Sequence, residues 1–177
     1  MSSSFAQRIV RAAKLDVHLY EEVEADAGAT RQAMAVVALS SVAAGLGAGR
    51  WQLGGIVIGT GLALVGWVVW AYLTYWIGTR FLPEPQTRAS HGELLRTIGF
   101  ATSPGLIRVL GVIPGLRELA FLGAGIWGLI ATVIAVRQAL DYRSTLRAVG
   151  VCAVGWVVQM ILVGIALVLV RALAGPA

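Results

Sequence analysis

The chain alternates apolar runs with short polar connections, and the lengths of those runs set the architecture. From Phe5 to Glu24 the pattern is amphipathic. At 100° per residue Phe5, Ile9, Ala12, Leu19, Tyr20 and Val23 fall on one side, and Arg8, Arg11, Lys14, His18 and Glu21 on the other. Asp16 falls inside the apolar side, which predicts that it caps a second short helix rather than sitting within one continuous helix. Such a segment can lie among lipid headgroups, pack beneath a bundle or bind a partner.

Five apolar runs follow, over about residues 31–48, 53–77, 93–113, 116–136 and 148–170. Each is long enough to be read as a membrane span. The turn Gly49-Arg50-Trp51 is so short that the first two spans must be antiparallel. The second run is roughly 37 Å long at 1.5 Å per residue, beyond the ~30 Å hydrocarbon core, and is expected to tilt or project. Its end carries Trp67, Trp70, Tyr72, Tyr75 and Trp76, several of them at the depth of an aromatic belt. Residues 80–92 form the main loop, 137–147 a polar connection, and Gly175-Pro176-Ala177 a short tail.

The third run is the unusual one. Residues 98–116 read IGFATSPGLIRVLGVIPGL, apolar but broken at Pro104-Gly105 and at Pro114-Gly115, with Arg108 between the breaks. Proline lacks an N–H and clashes one turn back, so Pro104 is expected to kink the span and free the Phe100 carbonyl. In lipid that carbonyl needs a donor, and the Thr102 and Ser103 hydroxyls are near enough to supply one. A broken helix needs cover from its neighbours, which places this span at the centre of the bundle. The expectation is an all-α, polytopic integral membrane bundle: a cytosolic amphipathic segment over 1–27, then a five-span domain over 28–177 with its third helix kinked at Pro104.

Composition agrees. The chain is 58% hydrophobic and 13% charged, against about 25% charged in soluble domains, with mean hydropathy +0.79. The pI near 10.1 fits nucleic acid poorly, because the arginines sit between apolar runs; no nucleic-acid partner is expected. Those arginines set topology instead. With the N-terminus inside, ten of the 14 Lys and Arg fall on the inner side: Arg8, Arg11, Lys14, Arg31, Arg80, Arg88, Arg96, Arg137, Arg143 and Arg147. Arg50, Arg108, Arg117 and Arg171 fall outside. No signal-peptide core precedes Asp26, so the first span is expected to act as the insertion signal. The reading is a multi-pass protein of the cell inner (cytoplasmic) membrane with its N-terminus in the cytoplasm.

Little in the chain points to chemistry. His18, His91 and Cys152 do not fall in ligand spacing, and Cys152 and the span serines have no nearby base. No catalytic, cofactor or metal residue is assigned. Three glycine pairs, Gly45/Gly49, Gly55/Gly59 and Gly111/Gly115, have the spacing that lets helices approach closely, within the monomer or in a homodimer. Gln159, near the middle of the fifth span, is expected to hydrogen-bond a neighbouring helix. Arg108 and Glu118 stand about one turn from the ends of two antiparallel helices and are expected to form an ion pair across the Pro114-Gly115 turn.

The third span carries a family resemblance. Gly99-Phe100-Ala101-Thr102-Ser103-Pro104 is similar to the G-Y-x-x-x-P of the Yip family, the Ypt/Rab-GTPase-interacting membrane proteins, with Phe100 in place of Tyr. Leu95-Arg96, Ile113-Pro114-Gly115, Trp127, Ala135 to Ala139 and Ser144 to Ala148 resemble bacterial members, as does the YEEVE stretch from Tyr20. The eukaryotic D-L-Y-G-P motif is absent, since Glu21-Glu22 follow Tyr20, and no Rab-binding residue carries over. The resemblance implies five helical spans, a cytosolic N-terminus and no enzymatic activity. The expected function is a non-enzymatic scaffold that binds the bilayer and other membrane proteins or itself. An accessory subunit of a larger complex and a small transporter or channel are the alternatives.

Overall fold

The computed structural model describes the backbone of residues 3–174 and the side chains of 3–165 and Val168. The expected tail at 175–177 and the side chain of Arg171 lie outside the described residues. Two short helices, α1 (Phe5–Ala13) and α2 (Val17–Ala25), precede α3 (Ala29–Gly47) and α4 (Leu53–Arg80). Next come α5 (His91–Ala101) and a 3-10 helix (Ser103–Val112), then α6 (Arg117–Ala139) and α7 (Thr145–Ala174). Among the described residues four helices are long and apolar enough to cross a membrane: α3, α4, α6 and α7 over Thr145–Ile165.

The amphipathic segment is two helices, and Asp16 caps the second by accepting from the His18 N–H at 3.0 Å. Its apolar side packs under the bundle: Ala12, Leu19, Tyr20 and Val23 have no exposed surface. The polar side is not all solvated. Arg8 is buried, its guanidinium held by Glu22 at 3.0 Å, Asp26 at 2.9 Å and Gln32 at 3.0 Å. Arg96 reaches from α5 to the last turn of α2 and donates to the carbonyls of Val23, at 2.8 Å, and Glu24. These are carbonyls the helix itself leaves without partners. Two arginines thus fix α1 and α2 to the membrane helices.

The expected single bent helix over 93–113 is instead two helices of different type. The α-helix stops at Ala101 and the chain tightens into ten residues of 3-10 helix with Pro104 in its first turn. Proline suits a helix start, where its missing N–H is not needed. The Phe100 carbonyl accepts from the Ser103 hydroxyl at 2.6 Å and the Gly99 carbonyl from Thr102 at 2.7 Å. A further donor comes from outside the segment: the Ser40 hydroxyl of α3 bonds the Thr102 carbonyl at 2.8 Å.

Position by position, α5 and the 3-10 helix follow α3 in the same direction. Gly99 lies against Ala33, Gly105 against Ser40, and Arg108 and Gly111 against Gly47. From α4, Trp67 and Trp70 turn inward, each 8% exposed, and the Trp67 indole donates to the Leu95 carbonyl at 3.0 Å. The expected aromatic belt therefore reduces to outward-facing residues such as Tyr72 and Trp76. The main loop is tied to the α6–α7 connection. Glu84 accepts from the N–H groups of Arg143, at 3.0 Å, and Ser144, at 3.2 Å, and the buried Tyr142 hydroxyl sits 2.8 Å from the carbonyls of Gly78 and Leu82.

Candidate functional site

The site is an apolar cavity of about 570 Å³ beside the junction of α5 and the 3-10 helix. Its walls are small residues: Ser40, Ser41 and Ala44 of α3, Ala63 and Gly66 of α4, and Ala124, Gly125 and Gly128 of α6. Counting 3.6 residues per turn, Ala63, Gly66 and Trp70 share one face of α4, so Ala63 and Gly66 leave open the space that begins beside Trp70. Trp67, Trp70 and Trp156 close the remainder, and the polar side chains that reach it include Ser40, Ser41, Thr102, Thr132 and Arg108.

Glycine contacts hold the 3-10 helix to α3. A Cβ on Gly47 would lie 1.8 Å from the carbonyl oxygen of Arg108, and one on Gly111 would lie 2.6 Å from the carbonyl oxygen of Gly47. One on Gly99 would meet the Ala33 Cβ at 2.6 Å. Each absent side chain is filled by the neighbour's backbone or methyl. Of the glycines chosen by spacing, only Gly111 makes so close an approach. Gly45 is in ordinary contact with Ile56 at 3.5 Å. Gly49 and Gly115 lie beyond helix ends at φ +75° and +83°, where the chain turns and L side chains are strained. The Arg50 N–H bonds the Gly45 carbonyl behind Gly49, and the Leu116 N–H bonds Ile113 across Pro114-Gly115. Gly55 and Gly59 have nothing within 4 Å. Gly47 was missed, and Gly99 was named for the kink and not for packing, since neither has a glycine four residues away.

The expected Arg108–Glu118 ion pair does not form. Among the described residues the ion pairs involve Arg8, Arg11, His18 and Arg147. The reason is the change of helix type. At 3.0 residues per turn, Gly105, Arg108 and Gly111 line up on one face, and that face packs on α3. Arg108 is half-buried with its guanidinium 5.9 Å from the centre of the Phe121 ring, while Glu118 is exposed. The expected bond from Gln159 is also missing; its Oε1 is buried without a partner.

At the N-terminal end, charge is paired around α1 and α2. The Asp16 carboxyl is held below its usual range by Arg11, and that of Asp26 by Arg8. Glu22 is held down by the Ser3 hydroxyl, then by Arg11 and Arg8. Glu24 goes the other way: burial, then the charges of Glu93 and Asp141, raise it to about 7, with Arg96 opposing.

Long apolar helices around a broken segment, with a charged N-terminal clasp and an apolar cavity among the helices, define an all-helical membrane protein. The Yip1 domain profile matches residues 25–167, and the chain belongs to that family. No curated protein and no solved structure matches it.

Proposed function

We propose that the chain is a non-enzymatic scaffold of the bacterial Yip type. It crosses the inner membrane five times, keeps its N-terminus in the cytoplasm, and holds another membrane protein or a second copy through the outer half of α4. Five crossings are supported by the register of α5 and the 3-10 helix along α3. Their lengths are about 16 Å and about 20 Å, so the pair is longer than the roughly 28 Å of α3 and covers its depth, although neither half would span alone. The kink at Pro104 becomes the joint between the two halves. Orientation rests on the bias of Lys and Arg to the inner connections.

The observation that carries the scaffold reading is the uncovered start of α4. Gly55 and Gly59 have nothing within 4 Å, while Leu53, Val57, Ile58 and Leu62 around them are 62–75% exposed. Lipid tails gain little from a glycine groove, but a partner's helix gains close backbone approach there. The test is purification in mild detergent with light scattering and mass spectrometry of what co-purifies. The natural chain is expected as a dimer or with one companion at fixed stoichiometry, and Gly55→Ile with Gly59→Ile is expected to release it without changing the melting temperature by more than a few degrees. A natural chain that runs alone as a monomer would sink the reading.

A further inference from the structure

Arg108 does not point where an arginine near a membrane surface is expected to point. Long basic side chains normally run along the helix toward water. Here the guanidinium folds back by one turn of the 3-10 helix, with Nη1 3.5 Å from where a Gly105 Cβ would sit, and so turns away from the Pro114 end. It borders the cavity. Among the described residues it has no ion pair and no hydrogen bond, and its one aromatic neighbour is Phe121 at 5.9 Å. A guanidinium offers five donors and stays charged. An unpaired charge at this depth is costly, and a single ring at that distance offsets only a fraction of it.

We propose that the cavity binds one anionic phospholipid, with its phosphate on Arg108 and an acyl chain along the wall of Ala63, Gly66 and Gly128. Charge selects the headgroup: a phosphate takes two parallel N–H bonds from a guanidinium fork. The walls select a lipid over a free anion. They are mostly apolar, and the Ser40, Thr102 and Thr132 hydroxyls already donate to backbone carbonyls, which leaves few partners for the water that would have to fill the rest of the space around a bare phosphate. Its size falls within the range of ordinary ligand sites. The Gly55 and Gly59 groove begins one turn away on α4, but Arg108 and Gly128 stand on other elements, so the two proposals are tested by different variants.

The test is native mass spectrometry of the full chain in detergent with added phosphatidylglycerol, phosphatidylcholine or inorganic phosphate. Phosphatidylglycerol is expected to stay bound at one per chain and to raise the melting temperature. Arg108→Gln is expected to weaken its binding about tenfold, and Gly128→Leu, which fills the cavity and leaves the charge, to weaken it as much. Arg117→Gln, at an exposed arginine, is expected to change nothing. If Arg108→Gln does not fold, Gly128→Leu carries the test alone. Equal retention of phosphatidylglycerol by Gly128→Leu would overturn the proposal, as would equal binding of phosphatidylcholine or saturation by phosphate without lipid.

Discussion

Gly47→Ala puts one methyl group into the tightest contact of the molecule. The new Cβ would lie 1.8 Å from the Arg108 carbonyl oxygen, 2.8 Å from its carbonyl carbon and 3.3 Å from the Phe121 ring. Ordinary contact begins near 3.5 Å, so α3 and the 3-10 helix must separate by about 1.7 Å. No rotamer change relieves this, because the obstacle is backbone. Overpacking a core costs about 1–3 kcal/mol, and a backbone clash belongs at the upper end. For a chain of this size about 3 kcal/mol lowers the melting temperature by about 6–12 °C. Six tryptophans make intrinsic-fluorescence melting in detergent a direct assay. Two other glycines separate space from backbone conformation. Gly61→Ala has nothing within 4 Å and is helical, so it is expected to be neutral or to stabilise by up to about 1 kcal/mol. Gly49→Ala also has open space but sits at φ +75°, and is expected to cost about 1–2 kcal/mol. A Gly47→Ala protein that melts within 2 °C of the natural chain, or no lower than Gly49→Ala, would refute the close approach of the two helices.

Glu24 predicts a pH dependence. Its folded value near 7 lies above its usual 4.5, so the folded state binds the proton more tightly and stability falls as pH rises from about 4.5 through about 7. After discounting for its partial exposure, the loss is about 1 kcal/mol. Melting should therefore rise by about 2–4 °C between pH 7.5 and pH 5, and Glu24→Gln should flatten that rise; an unchanged profile would dismiss the assignment. Pro104→Ala is expected to insert normally but to melt lower by about 2–6 °C, because the proline is fully buried and the new N–H lets the α-helix continue past Ala101; an unchanged melt would mean that position 104 organises nothing.

Much of the fold was legible because membrane spans write themselves as long apolar runs. The ends of α3, α4, α6 and α7 fall within a few residues of the sequence boundaries. The capping role of Asp16 was legible too, since a carboxylate on an apolar face has few other uses. The break at Pro104 was visible, but its outcome was not. Proline forbids the α-helical bond without dictating what replaces it, and the 3-10 period of three changed every facing residue downstream. That single change removed the Arg108–Glu118 pair and brought Arg108 to the cavity. Gly47 and the packing contact of Gly99 were hidden for a related reason: their partners are a carbonyl and an alanine on other segments, and spacing along one helix cannot register that. Arg8 and Arg96 were counted as topology charges, and nothing local marks an arginine as a clasp between helices.

The crossing of α5 and the 3-10 helix is tested most directly by labelling either side of it. Single cysteines at Arg88→Cys and Arg117→Cys, in a Cys152→Ala background, place exposed thiols before α5 and after the 3-10 helix. In intact cells a membrane-impermeant maleimide is expected to label the cysteine at 117 and not the one at 88, with both labelled after permeabilisation. Labelling of both, or of neither, in intact cells would place the two ends on one side and contradict a fifth crossing.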